Sequence, residues 1–547
     1  MLQARGVEIY RGVTPVQLSK ASLGGAINIR TPRPEEEPGF RGLVGAGSFH
    51  EREAALLFNQ RLGSVDALLS LSAAQSDNDF PFRNGNGTRF TDADDFDDHR
   101  NNDQTRQRSA LLKLGHSDGD KARQDLGFQY FNKNQHLPDT RNSPANTARL
   151  DTETWRLQAR HSNNRIGDSA WNTRLGLNVS RAREVFSDPR SLIGLGQQQT
   201  RSITDGAGLE SYWERIGERD SLAMLVNFRA ENYRNDDLLN RVDKGRARRR
   251  EWNLALQDAR FLGSDRWLVT PELRFQSTDD RFDIPNGNNS DDPTTIRHAW
   301  SQLSPKIGLR FQPREELSLT ANIGQYQRTP SFFELFGDRG LFLGNPALKP
   351  ESGINLDLGA QWRSDRSFGF VDAPNLSIAL FHRDVDNAIS RVYNARGVGK
   401  SINIRGALAS GLEWEARAGL ARRLNLQFKG TLQHTENRSP FPAFHGKQLP
   451  GQAEATVSLF LDYPFRQGSV YYEYSGRFDS YYDTANLLPA ADQSFHSLGI
   501  RTVFRRLALA LEISNLGNDV YEDFNGYPKP GRAFNLTLTY TGEANNE

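Results

Sequence analysis

This sequence predicts an all-β fold: a closed barrel of 22 antiparallel strands that crosses a membrane. Three observations carry the prediction. About 22 segments, each roughly 9–15 residues long, alternate apolar and polar positions, the length of tilted membrane-spanning strands. No apolar run reaches the ~18 residues that a membrane helix needs. The connections between segments alternate between short and long.

The alternation is clearest at 424–433, where Leu424, Leu426, Phe428, Gly430 and Leu432 interleave with Asn425, Gln427, Lys429, Thr431 and Gln433. Leu507, Leu509, Leu511 and Ile513 repeat it, as do Phe534, Leu536, Leu538 and Tyr540. A period of two puts one set on each face of a sheet. Alone it fits any half-buried sheet, soluble ones included. If the barrel is right, Phe428 and its set face lipid and Gln427 and its set face a wet lumen.

The connections separate the two cases. Residues 62–64, 117–121, 263–265, 312–316, 464–467 and 505–506 are short; 76–104, 133–151, 184–203, 279–298, 328–352, 436–451 and 516–531 are long. Compact soluble domains rarely carry so many long loops, whereas outer-membrane barrels pair short turns on one rim with long loops on the other. Tyr471, Tyr472, Tyr474, Phe478, Tyr481 and Tyr482 crowd one strand and its end, as the aromatic girdles of such barrels do.

Composition agrees. Mean hydropathy is -0.66, too polar for a helical membrane protein but suited to a barrel in which every second strand residue meets lipid. Charge is balanced, 68 basic against 67 acidic residues, so nucleic acid is not an expected partner. With no cysteine, disulfides, thiol catalysis and cysteine-bound zinc are excluded. No Ser/His/Asp spacing, nucleophile elbow or phosphate loop is present, so neither an enzyme nor a cofactor is expected.

Three stretches resemble one family. Residues 8–31 read EIYRGVTPVQLSKASLGGAINIRT, similar to the end of the plug domain in TonB-dependent outer-membrane receptors. Residues 328–351 read RTPSFFELFGDRGLFLGNPALKPE, resembling that family's loop-to-strand segment. The end of the chain, from Asn515-Leu516 through Tyr521 to Tyr527-Pro528 and Pro530-Gly531-Arg532, resembles its closing hairpin. The resemblance implies a plug remnant and linker at 1–38, a barrel at 39–540 and a tail at 541–547. It implies an integral protein of the bacterial outer membrane, monomeric, that imports a ferric siderophore or cobalamin-like chelate with energy from the TonB complex, among outer-membrane lipid and lipopolysaccharide. No signal peptide precedes residue 5, so the expected reading is a chain lacking the signal, the TonB-contacting segment and the plug front. A passive channel or surface-binding barrel is the alternative.

The same resemblance suggests an ion-pair cluster between plug and barrel: Glu8 and Arg11 from the remnant, Glu351 and Glu413 from the wall. An arginine between two carboxylates stabilises both ionised forms; solvated lumen glutamates are the plainer alternative. Gly24 and Gly25 mark the plug turn, because paired glycines entering a strand allow a sharp bend or close approach. Asp92, Asp94, Asp95, Asp97, Asp98 and His99 form an acidic run that suits either a hard cation or solvent. Arg246, Arg248, Arg249 and Arg250 suit lipopolysaccharide phosphates, an anionic ligand or a solvated loop end. Haem receptors of the family usually carry a histidine within 328–351; none stands there.

Overall fold

Strand pairing joins neighbours in sequence all the way round, and the ring shuts where Gly39–Gly47 pairs with Ala533–Glu543. The structure, a computed structural model, describes residues 6–10, 14–18, 25–32, 39–86, 91–166, 169–263, 265–286, 289–337, 342–393, 399–421 and 423–543. The closed ring has 22 main strands, all antiparallel. Closure gives every main strand a neighbour on both sides, which a hydrocarbon surrounding requires because lipid cannot satisfy backbone N–H and C=O groups; above Lys306, strand Asn289–Arg314 pairs only with the strand before it.

The short turns lie on one rim. The turn at Gly63, with φ 64°, follows a strand whose Asn59 pairs with Gly39. At the turn after Phe504, the Arg506 carbonyl accepts from the Thr541 amide at 2.9 Å, and Thr541 pairs with Arg41. Both turns therefore sit where the first barrel strand begins. The last strand continues three residues past Tyr540, to Glu543, because Phe40 and Gly39 still offer partners.

Strand length is uneven, and here the sequence reading is corrected. Strands run from 8 residues at Leu507–Ser514 to 26 at Asn289–Arg314. The connections do not alternate strictly, since 48–51 and 238–241 lie on the long-loop rim and are short. Of residues 279–298, read as a long loop, 279–286 and 289–298 form the upper part of two paired strands, with Asp279 opposite Ala299 and Asp283 opposite Thr295. Apolar alternation stops where lipid stops, but ladder pairing goes on satisfying the backbone above it. Six consecutive strands from Trp171–Asp188 to Asn289–Arg314 thus form a tall wall of 18–26 residues per strand.

Faces follow the alternation. Phe428 and Leu432 are exposed on the outside beside Ile378 and Leu380, while Gln427 donates to Glu415 inside at 2.7 Å. Of the tyrosine group, Tyr472 and Tyr474 face outward around His496, with Tyr472 Oη 2.6 Å from its Nδ1. Tyr471 departs from the girdle: it points inward and donates to Glu512 at 2.5 Å.

Inside the barrel a small hairpin pairs Gly6–Tyr10 with Ala26–Arg30. Gly25 enters the second strand at φ 129°, a conformation that favours glycine. Gly24 and Arg11 lie outside the described residues.

Candidate functional site at the lumen mouth

The long-loop rim is closed in part by the segment between strands Leu317–Arg328 and Glu351–Arg363. Its sequence Ser331-Phe332-Phe333-Glu334 is a capping box, a helix-start signal in which side chain and backbone satisfy each other. The Glu334 amide donates to Ser331 Oγ at 3.3 Å, and the Ser331 amide donates to the Glu334 carboxylate at 2.7 Å. The helical turn Phe332–Phe336 follows.

That turn docks on the tall wall. Tyr233 stacks against Phe332 and Phe336, both at 5.0 Å, and Phe282 meets Phe336 edge-on at 5.5 Å. Beneath it Arg249 donates twice to Asp280, both at 2.8 Å, and once to the Pro330 carbonyl at 2.9 Å. The guanidinium also lies 4.7 Å from the Phe332 ring centre. Both members of the ion pair are buried, so their charges hold only because each satisfies the other.

At the edge of the same segment Arg328 bridges two carboxylates. It donates to Glu351 at 2.7 Å and to Glu334 at 3.0 Å. Glu351 also accepts from the Ile389 amide at 3.0 Å, which brings a second loop into the network. Burial pushes the Glu334 carboxyl up, but hydrogen bonds from Arg328 and Ser331 outweigh it and hold it below its ordinary value.

Deeper down, the wall grips the inner hairpin's connection. Val16 is buried among Tyr212, Ala223, Leu225 and Ala255, and Arg274 reaches the Val16 carbonyl at 3.4 Å. Arg274 pairs with Glu272 at 3.1 Å, with Lys306 at 3.8 Å from the same carboxylate. On the other side Lys113 donates to Thr31 and, at 3.0 Å, to the Pro32 carbonyl. Among the described residues, the barrel thus holds the hairpin's flanking segments by the apolar burial of Val16 and by two cations, Arg274 and Lys113, on backbone or hydroxyl oxygens.

The residues predicted for a charge clamp are distributed differently. Glu8 is held within the hairpin, accepting from Asn28 at 2.8 Å and Arg30 at 3.0 Å. Glu351 takes Arg328 of the barrel as its cation. Glu413 pairs with Ala379, and Ala379 with Gly359, so it stands eight strand positions from the level of Glu351. At ~3.3 Å per residue that is about 26 Å along the strand. The register does not bring the two glutamates together.

A third group of loops, between 77 and 148 and at 515–532, is knitted around Arg100. This side chain is buried, donates to the Asp139 carbonyl at 3.3 Å, and lies 5.8 Å and 5.6 Å from the Phe82 and Tyr527 ring centres. The acidic run forms part of this lattice. Asp97 pairs with Arg83 at 3.4 Å, while Asp98 accepts from Asn84 at 2.9 Å and Asn142 at 2.7 Å. Among the described residues no group of three or more acidic or histidine side chains is placed to hold a metal ion.

The family model for the TonB dependent receptor-like β-barrel matches residues 58–516. The chain belongs to the TonB-dependent receptors. Solved structures agree in fold. The copper transporter OprC superposes with a TM-score of 0.77 at 14% identity, covering 98% of this chain and 86% of that one. The siderophore receptor PiuA from Acinetobacter baumannii gives 0.76 at 14% identity over 99% and 87%. The FrpB iron transporter of Neisseria meningitidis (F5-1 variant, apoprotein form) gives 0.74 at 15% over 98% and 87%. Lactoferrin-binding protein A of N. meningitidis serogroup B is 30% identical over 118 residues, 20% of this chain; the match spans only 12% of that protein's length. Family membership orients the receptor: its short turns face the periplasm and its long-loop mouth faces outward.

Sequence reasoning grouped Arg249 with the arginines beside it and passed over Asp280, Arg328 and Glu334. The capping box was a readable signal for Glu334, and strand phase for Arg249, which alternates with its outward neighbours.

Proposed function

We propose that this receptor binds a ferric siderophore or a similar large metal chelate at its outer mouth and imports it with energy from the TonB complex. The observation that supports this most is the mouth itself. A docked aromatic turn, a lumen wall of paired guanidiniums and carboxylates, and an inner hairpin gripped from two sides lie between mouth and lumen. Aromatic faces and fixed guanidiniums suit a large, anionic or aromatic chelate, and a lumen occupied by plug segments opposes passive flow. The named relatives, one a siderophore receptor and one an iron transporter, are in keeping with that ligand class.

The test is uptake of radio-iron presented on a panel of siderophores to cells in which this receptor is the sole one expressed. Saturable accumulation that vanishes without TonB supports the proposal. Accumulation that is unsaturable and indifferent to TonB favours the passive channel instead.

A further inference from the structure

The run from Arg246 to Arg250 is divided by its strand. Ala247 and Arg249 are buried inside, whereas Arg246, Arg248 and Arg250 are exposed on the outer wall. The register extends the outer set sideways: Arg248 stands opposite Arg281, and Arg281 opposite Arg297. Three guanidinium side chains therefore share one level on three adjacent strands. Direct cross-strand partners lie ~4.5–5.5 Å apart, and like charges there repel.

Local carboxylates offset only part of this charge. Asp283 takes Arg281 at 3.2 Å and Asp243 takes Arg246 at 2.7 Å. Asp279 faces Arg250 across the ladder. Among the described residues no ion pair within 4 Å engages Arg248, Arg250 or Arg297. One step below Arg250 the wall becomes apolar: Trp252 lies 4.5 Å from Phe228, and Leu254, Phe275 and Leu303 are exposed. The arginines thus begin where aromatic rings mark the headgroup level of the outer leaflet.

We propose that Arg248, Arg281 and Arg297 form a site for the phosphate groups of an outer-leaflet lipid, its acyl chains lying on the Phe228–Trp252 face below. Planar guanidinium forks grip phosphate through paired hydrogen bonds, and an anion shared among the three removes their mutual repulsion. The occupant is a lipid rather than a soluble anion because the arginines continue the lipid-facing surface and lie outside the lumen. This inference does not depend on chelate uptake.

The experiment uses the purified full chain in neutral, phosphate-free detergent, with native mass spectrometry reading bound diphosphoryl lipid A against its dephosphorylated analogue. The phosphorylated form should bind at least about tenfold more tightly, a step worth ~1.4 kcal/mol. The triple variant Arg248→Gln, Arg281→Gln, Arg297→Gln should lose that preference. Arg181→Gln, which removes an outer arginine already paired with Asp205 at 2.6 Å, should retain it. Separately, Arg297→Gln alone should raise the melting temperature in lipid-free detergent and shrink the rise that lipid A produces. An undiminished preference in the triple variant, displacement of the lipid by millimolar inorganic phosphate, or a lower melting temperature for Arg297→Gln without lipid would each overturn the site.

Discussion

Arg249 and Arg248 are neighbours in one strand and inhabit different worlds. Arg249 points into the barrel, is buried, and is held by Asp280, the Pro330 carbonyl and the Phe332 ring. Arg248 points outward, is exposed, and stands opposite another arginine. The inner face of the tall wall pairs Arg249 with Asp280 and Arg274 with Glu272, and through these arginines it holds the docked turn and the inner hairpin's connection. The outer face leaves charge for its surroundings to satisfy. A single strand thus serves both functions, and phase alone assigns them.

The sharpest way to break this contrast is to truncate each arginine. Arg249→Ala should destabilise the docked segment by about 3–5 kcal/mol, because Asp280 is left buried and unpaired. Arg248→Ala should stay within about 0.5 kcal/mol in detergent, as exposed substitutions do. Limited proteolysis across residues 329–350 reads the difference. Equal protection in the two variants would show that Arg249 does not hold the turn.

A second pair tests the faces away from the tall wall. Phe428→Arg places charge against lipid and should cost about 2–4 kcal/mol if the position lies near the midplane. Gln427→Arg, on the lumen side beside Glu415, should cost much less. Urea unfolding in bilayers measures both, and equal costs would reverse the assignment of faces.

These contrasts also mark how far the sequence could be read. Phase is a local property, so the faces of Phe428 and Gln427 and the antiparallel ring follow from alternation and turn spacing. Strand length above the bilayer was not legible, because residues 279–298 carry charge where lipid-facing strands carry apolar groups, and charge resembles loop. Ion-pair partners were less legible still. Glu351 sits in a family-like motif, but its partner depends on which of many arginines the fold brings near, and Arg328 lies only across one ladder. Glu413 illustrates the converse, since eight register positions separate it from the glutamate expected beside it.

A smaller effect is expected at the helical turn. Ser331→Ala removes the acceptor for the Glu334 amide and one partner of its carboxylate, and caps of this kind contribute about 1 kcal/mol. The change should speed proteolysis within 329–350 far less than Arg249→Ala does. Ser331→Asp should restore most of the protection, because its carboxylate also caps. A loss as large as that from Arg249→Ala would make the cap, rather than the buried ion pair, the main anchor.

The smallest expected effect separates two carboxylates on the outer rim. Arg328 keeps Glu334 ionised, whereas burial raises the carboxyl of Asp103 from 3.8 to about 6, against the opposing pull of Arg100, Lys529 and Lys133. Between those two values the folded loops bind a proton that the unfolded loops do not. The stabilisation from Asp103 is therefore complete below about pH 4 and is lost as pH rises through about 6. The Arg100 lattice should loosen on neutralisation, while the Glu334 network, whose carboxyl is held low, should not change in that window. Because the chain has no cysteine, a cysteine introduced at Asn525 accepts a single environment-sensitive fluorophore. Its emission should shift between pH 5 and pH 7, and Asp103→Asn should flatten that curve. A shift that persists in Asp103→Asn, or that runs toward tighter packing with rising pH, would place the titrating group elsewhere.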